Sequence, residues 1–197
     1  MTDRPRPDFD LAYREGTPPW DIGRPQPAVE RLWRDGEVVG DVVDLGCGTG
    51  ENALWLASLG CPVVGIDGSP TAIELARRKA SERGVAATFL VGDALDLGRI
   101  RRRFETAIDC GLFHTFDPPR ARAYAQSLCE VLSPGSTLHV LCFSDAEPPG
   151  PGPRRVREED LGAAFRGIFA TTRLEPSSFE RLGGPPAKAW LARLVRI

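Results

Sequence analysis

The sequence has little of what nucleic-acid binding, metal binding or membrane insertion requires. Its 25 Lys and Arg are outnumbered by 27 Asp and Glu, so the broad positive field that attracts nucleic acid is missing. Metal ligands are few, because there are only two histidines, His114 and His139, and the five cysteines form no C-x-x-C pair. No apolar run approaches the ~20 residues of a membrane span. We therefore expect no metal site, no nucleic-acid partner and no membrane partner.

Size, cysteine usage and the N-terminal segment indicate the class of protein. At 197 residues, with 42% hydrophobic and 26% charged residues, the chain suits one globular domain acting as a monomer or homodimer. An odd, scattered set of cysteines is typical of reduced thiols in the cytosol. The first ten residues mix charge with proline and lack the apolar run of a signal peptide. We expect a cytoplasmic protein.

Apolar strands alternating with amphipathic helices predict a doubly wound α/β domain with a mostly parallel sheet. A proline-rich segment, residues 1–36, is expected to form an arm with one helix, and residues 37–197 the domain. Two strand-like pieces at the C-terminus are expected to pair as a hairpin on the sheet edge. The predicted strands lie at 42–45, 62–67, 87–91, 106–110, 137–143, 172–180 and 187–196, and the helices at 26–34, 52–59, 70–83, 118–132 and 158–169.

The strongest local signal is the glycine loop of residues 43–52, which follows the first strand and opens a helix. Glycines at 46, 48 and 50 allow a tight turn and close approach to a ligand. Carboxylates stand on both sides of the loop, at Asp44 and Glu51, and they would repel the pyrophosphate of a dinucleotide. The spacing also differs from the dinucleotide pattern G-x-G-x-x-G. The loop therefore favours a nucleoside that carries an ammonium and a sulfonium.

Two further carboxylates end the next two strands. Asp67 follows the second strand, where an acidic side chain can accept both hydroxyls of a ribose. Asp93 and Ala94 follow the third strand, where a carboxylate and an amide can pair with an adenine ring. Because the carboxyl ends of parallel strands meet at one edge, these residues and Asp44 predict a single crevice.

Residues 44–50, Asp67 and the run 92–94 resemble the cofactor motifs of class I S-adenosylmethionine-dependent methyltransferases. The resemblance spans residues 42–143 and implies a Rossmann-like methyltransferase fold of seven strands, with an antiparallel C-terminal edge strand. It also implies S-adenosylmethionine as cofactor. The cofactor-binding residues that it implies are Trp20, Asp44, Gly46, Cys47, Gly48, Asp67, Gly68, Asp93, Ala94 and Cys110.

Residues 18–27 resemble the N-terminal segment of the small thiol, halide and thiopurine methyltransferases and of related bacterial enzymes that methylate heterocycles. In that branch the arm is a lid over the cofactor and its tryptophan lines the site. An indole face near a sulfonium provides cation–π attraction of roughly 0.5–2 kcal/mol. Trp20 could equally be a hydrophobic plug between arm and core, and the two roles are compatible.

The end of the fourth strand faces the methyl group and its acceptor in this family. Phe113 and Phe116 could form an aromatic wall for a flat substrate or belong to the ordinary core. His114 is the candidate general base, with a structural histidine as the alternative. Arg154, in the proline-rich loop after the fifth strand, could hold an anionic group of the substrate.

Together these patterns predict an enzyme that transfers a methyl group to a small aromatic, heterocyclic or thiol-bearing molecule. An O- or N-methyltransferase of hydroxylated heterocycles is the alternative within the same class. A protein that binds S-adenosylmethionine without catalysis is the alternative outside it. A reductase is least favoured, because two carboxylates flank the glycine loop.

Overall fold

The computed structural model describes residues 8–197, so residues 1–7 of the predicted arm lie outside the described part of the chain. Within that part, six α-helices and seven strands follow one another. The helices are α1 (Phe9–Glu15), α2 (Pro27–Arg34), α3 (Glu51–Ser58), α4 (Pro70–Arg83), α5 (Pro118–Ser127) and α6 (Glu158–Phe165). The strands are β1 (Val42–Leu45), β2 (Val63–Asp67), β3 (Thr88–Val91), β4 (Phe104–Cys110), β5 (Leu132–Phe143), β6 (Phe169–Phe179) and β7 (Ala187–Arg196).

The seven strands form one sheet in the order β3-β2-β1-β4-β5-β7-β6. Strands β1 to β5 are parallel, whereas β7 runs antiparallel to both of its neighbours. The predicted doubly wound α/β fold and its C-terminal hairpin are confirmed. Within the hairpin β7 is the antiparallel strand and β6 is the outer one. The strand order reverses between β1 and β4, and open α/β sheets bind their ligands at such a crevice.

Local sequence signals explain where the site-forming helices begin. Helix α4 starts directly after β2, because the Ser69 hydroxyl accepts the Ala72 amide at 3.0 Å and Pro70 occupies the first turn. It ends at Gly84, whose φ of 63° permits the left-handed cap. These signals keep the β2–α4 connection short, and it begins directly after Asp67.

Two helices are shorter than the sequence predicts. The helix expected over 118–132 ends at Ser127, and Leu132 instead opens β5 beside Phe104. The helix expected over 158–169 ends at Phe165, and Phe169 instead opens β6. In both places apolar residues continue the helical pattern, but pairing with a neighbouring strand takes them into the sheet.

Each face of the sheet carries its own apolar core. One contains side chains of α5 and α6, and the other contains side chains of α2, α3 and α4. Val29 and Leu32 of the arm are buried in the second core, together with Val42 of β1. Burying side chains of this size stabilises the fold by roughly 1.5–3 kcal/mol each. Helix α2 is thus fixed to the sheet.

Candidate active site

The amides of the glycine loop are already occupied by the protein. Those of Gly46 and Cys47 both donate to the Ile66 carbonyl, at 2.8 and 3.0 Å. The amide of Gly48 donates to the Asp67 carboxylate at 2.8 Å. A carboxylate therefore occupies an amide that a dinucleotide site would offer to a phosphate. This arrangement disfavours a pyrophosphate.

Asp44 is a buried carboxylate at the end of β1. Its side chain is 1% exposed, and neither oxygen has a hydrogen-bond partner among the described residues. Burial raises its pKa to about 7, and the charges of Asp109 and Asp67 contribute to the rise. The Ala53 amide acts in the opposite direction and lowers the pKa of Asp44, but it forms no hydrogen bond of normal geometry with the carboxylate. A cation bound here would restore the ionised form.

Asp109, near the end of β4, is a second buried carboxylate that the sequence analysis did not select. One of its oxygens accepts the amides of Leu112 and Phe113 at 2.9 and 3.1 Å, and the other has no partner among the described residues. Burial raises its pKa to about 6. Its place near the end of the apolar run of β4 was the signal that could have identified it.

Asp67 links the glycine loop to the start of α4. Besides the Gly48 amide, its carboxylate accepts the Ser69 amide at 2.8 Å. Burial raises its pKa. Its backbone carbonyl accepts the Gly92 amide at 2.9 Å, which ties the end of β2 to the end of β3.

The residues after β2 and β3 lie at this same edge. A Cβ placed on Gly68 would lie 3.9 Å from the Gly92 carbonyl oxygen. Asp93 is exposed, with one carboxylate oxygen accepting the Leu95 amide at 2.9 Å, while Ala94 is buried. Their predicted roles toward adenine stay predictions.

The crevice fits a positively charged nucleoside. The register of β1 and β2 places Asp44 and Asp67 on the same face of the sheet, and the charge of Asp67 contributes to the raised pKa of Asp44. A ligand bearing an ammonium and a sulfonium would offset this excess of negative charge, and a diphosphate would add to it. Neither carboxylate oxygen of Asp44 has a hydrogen-bond partner among the described residues, so a cationic group bound here would supply one.

His114 lies in a buried pocket beyond β4, and its imidazole is tied to the backbone. Its Nδ1 accepts the Phe143 amide at 3.0 Å. Burial lowers its pKa to about 3, helped by the charges of Arg154 and Arg155. A ring that is neutral and bound in this way cannot accept a substrate proton without losing the Phe143 bond. The geometry favours the structural alternative for His114.

The aromatic side chains predicted as a substrate wall are buried in the core. Phe113 is 0% exposed and stacks on Phe165 of α6, with ring centroids 5.3 Å apart. Phe116 packs on Tyr124 at 5.3 Å. The geometry favours core packing, the alternative reading, for both residues.

A different aromatic pair stands at the end of β4. Phe143 and Phe179 pack edge-to-face at 5.5 Å, and both contact the His114 ring. A Cβ on Gly111 would lie 3.0 Å from the Phe179 ring, so this ring covers the strand end directly after Cys110. Cys110 is half-buried, and burial raises its pKa, so it stays a neutral thiol. Phe179 escaped the sequence analysis because it lies about 70 residues from β4 along the chain.

Arg154 is half-buried, and its Nε and Nη2 have no hydrogen-bond partner among the described residues. Its guanidinium lies 3.5 Å from the Asp160 carboxylate and 5.7 Å from the centre of the Phe113 ring. Its backbone amide donates to the His114 carbonyl at 3.1 Å. The role predicted for it toward an anionic substrate group stays a prediction.

The arm reaches the glycine loop through Tyr13, which the sequence analysis missed. Trp20 is 36% exposed, and its indole N–H donates to the Tyr13 hydroxyl at 2.8 Å. A Cβ on Gly48 would lie only 2.6 Å from that hydroxyl oxygen. The four-residue spacing of Phe9 and Tyr13, one helical turn, was the available signal.

Between residues 8 and 197, no helix is both long and apolar enough to cross a membrane. In the same range, no group of three or more His, Cys, Asp or Glu side chains is placed to hold a metal ion.

Comparison with known proteins agrees with this fold. Residues 42–135 match the family model described as "Methyltransferase domain". A solved structure from work on the conversion of a disulfide bond into a thioacetal group during echinomycin biosynthesis is 39% identical. It has a TM-score of 0.88 and covers 95% of this chain and 90% of that one. Magnesium protoporphyrin IX methyltransferase from Synechocystis with bound S-adenosylmethionine shares the fold, with a TM-score of 0.66 at 23% identity over 86% and 76% of the two chains.

Two curated methyltransferases are similar to this chain over most of its length. The 2-heptyl-1-hydroxyquinolin-4(1H)-one methyltransferase of Mycobacteroides abscessus is 40% identical over 82% of this chain and 75% of its own length. Probable thiol methyltransferase 2 of Arabidopsis thaliana is 30% identical over 79% and 70%. The chain belongs to the S-adenosylmethionine-dependent methyltransferases. It is an enzyme that uses S-adenosylmethionine to methylate a small molecule, as the sequence predicted.

Proposed function

We propose that the acceptor is a small aromatic, heterocyclic or thiol-bearing molecule whose nucleophile ionises, or already carries a free electron pair, without help from the protein. The observation that carries this proposal is the state of His114, which is neutral and whose Nδ1 accepts the Phe143 amide. A thiol with a pKa near ~8.5 is partly ionised near neutral pH, whereas a simple phenol near ~10 is not. A heteroaromatic nitrogen needs no deprotonation.

Bound S-adenosylmethionine supplies an electrophilic methyl group carried on a sulfonium. We assign the positive part of the cofactor to Asp44, the ribose to Asp67, and the adenine to Asp93 and Ala94. The protein's contribution is to align the acceptor and exclude water. Residues 1–36 are proposed as the lid and residues 37–197 as the methyltransferase domain.

The relatives support two acceptor classes. The Mycobacteroides relative acts on a hydroxyquinolinone, which favours methylation of a hydroxylated heterocycle. The Arabidopsis relative is named as a thiol methyltransferase, and the echinomycin structure concerns a sulfur-bearing substrate, which favours a thiol. Both classes fit an acceptor that reacts without a protein base.

A labelled-methyl screen over thiols, halides, phenols of graded pKa and hydroxylated heterocycles tests the proposal. We expect turnover to follow the fraction of acceptor that is ionised at the assay pH. Equal rates on a phenol of pKa ~10 and on a more acidic phenol of the same shape would contradict it.

We also propose a cytoplasmic, bacterial enzyme that works as a monomer or homodimer without nucleic acid or membrane. All five cysteines are free thiols in the structure, which supports a reducing compartment. Light scattering after size exclusion would determine the oligomeric state, and thiol titration of freshly isolated protein would show a disulfide if the compartment were oxidising.

A further inference from the structure

Helix α1 is fixed to the edge of the crevice by its own acidic residue. One oxygen of the Asp10 carboxylate accepts the Ser69 hydroxyl at 2.7 Å and the Thr71 amide at 3.0 Å. Ser69 and Thr71 flank the start of α4, two and four residues after Asp67. These contacts place the next turn of α1, which carries Tyr13, over the glycine loop.

The Tyr13 hydroxyl lies next to the glycine loop and near the Asp67 carboxylate. It lies against Gly48, because a Cβ on this glycine would approach the hydroxyl oxygen to 2.6 Å and force Tyr13 to move. Burial raises its pKa, and the negative charge of Asp67 raises it further, so the hydroxyl keeps its proton. Tyr13 itself is buried, at 8% exposure. A neutral donor thus stands in a crevice otherwise lined by carboxylates.

The hydrogen bond with Trp20 sets the direction of that donor. The indole N–H donates to the hydroxyl oxygen at 2.8 Å and therefore uses one of its lone pairs. The hydroxyl hydrogen is left free to point elsewhere. Trp20 also packs edge-to-face on Phe9 and Tyr13, with ring centroids 5.7 and 6.1 Å apart. Every interaction that the structure records for the Trp20 ring is thus with the arm.

We infer that Tyr13 contacts S-adenosylmethionine directly, by donating a hydrogen bond to one of its oxygen atoms, and that Trp20 is a positioning residue acting through Tyr13. The inference rests on the cofactor site described above. It replaces a cation–π contact between Trp20 and the sulfonium with an indirect role. S-adenosylhomocysteine lacks the sulfonium charge but keeps the oxygen atoms, so the two ligands separate these roles.

The test is a double-mutant cycle with Tyr13→Phe and Trp20→Phe, in which the Kd of each ligand is measured by calorimetry. We expect Tyr13→Phe to weaken both ligands about three- to tenfold, the effect of losing one neutral hydrogen bond. Trp20→Phe should weaken both ligands equally, and the double variant should bind no worse than Tyr13→Phe alone. Leu11→Ala, at an exposed site on the same helix, is the control and should leave both Kd values unchanged.

Three results would overturn the inference. Unchanged or tighter binding in Tyr13→Phe would show that the hydroxyl does not contact the ligand. A loss in Trp20→Phe confined to S-adenosylmethionine would assign the tryptophan to the sulfonium, and additive losses would separate the two residues. Unaltered melting temperatures confirm folding, and binding of S-adenosylmethionine by the unmodified enzyme tests the cofactor site separately.

Discussion

The Asp67 carboxylate accepts the backbone amide of Gly48 at 2.8 Å, so the end of β2 closes onto the glycine loop that follows β1. This bond shapes the loop and holds a negative charge beside it. One contact thus explains both the tight turn and the preference for a cationic nucleoside over a phosphate-bearing one.

Replacing Asp67 should weaken cofactor binding strongly. Asp67→Ala removes a group assigned to the ribose and frees the amides of Gly48 and Ser69, so we expect the Kd for S-adenosylmethionine to rise at least tenfold. Asp96→Ala, an exposed aspartate of the β3–β4 connection, is the matched control and should change nothing. Calorimetry measures both. A Kd unchanged in Asp67→Ala would remove this residue from the site.

Cofactor affinity should rise with pH up to about 7. The pKa of Asp44 is raised to about 7, so below that pH the free enzyme holds a proton on this carboxyl. A bound cation favours the carboxylate, and binding therefore releases the proton. Affinity should increase by up to about tenfold per pH unit between pH 5 and 7 and level off above. Asp44→Asn should flatten this dependence. A wild-type Kd that is constant from pH 5 to 7 would contradict the assignment.

The same carboxylate should destabilise the cofactor-free enzyme at higher pH. Ionising a buried Asp44 opposes folding, because its pKa is above the ordinary value of 3.8. The contribution of protonated Asp44 to stability is present at pH 4 and is lost as pH rises to 7. Asp44→Asn should therefore match wild type near pH 4. Between pH 4 and pH 7, the unfolding free energy of Asp44→Asn relative to wild type should increase by up to about 1.4 kcal/mol per pH unit. Urea unfolding at several pH values measures the difference, and a gap that is independent of pH would refute it.

Loss of His114 should affect stability and not acceptor choice. His114→Ala leaves the Phe143 amide unpaired and creates a cavity between Phe143 and Phe179, which we expect to cost roughly 2–4 kcal/mol in unfolding free energy. His114→Asn, whose side-chain oxygen can accept the same amide, should recover part of it. Activities on phenols and thiols should fall by the same factor. A loss confined to phenols would restore the role of general base.

Much of the cofactor site was accessible from the sequence because its residues follow strand ends. Asp44, Asp67 and Asp93 each end an apolar run, and parallel topology brings such ends to one edge. The spacing of the glycines at 46, 48 and 50 indicates the tight turn of the glycine loop. The family, the fold and the cofactor were all predicted correctly on this basis.

The surroundings of His114 were less accessible from the sequence, since they come from segments distant in the chain. Phe179 reaches Gly111 from the C-terminal hairpin, and Phe143 reaches His114 from β5. Phe113 and Phe116 follow β4 directly and looked suitable, but helices α5 and α6 cover them. The position of an aromatic residue after a strand does not show whether its ring will face the site or the core.

The sequence by itself determined the order of the strands and of the helices from α2 onward, the glycine turn and the acidic strand ends, because hydrophobic period and glycine spacing are local properties. It predicted one helix in the arm, whereas the structure has α1 as well as α2 there. Only the tertiary structure decided that His114 is bound to the backbone, that Asp44 is buried without a partner among the described residues and that Tyr13 lies over Gly48. Burial, pKa and hydrogen-bond partners depend on contacts between distant segments, and those contacts exist only once the sheet and the arm have packed together.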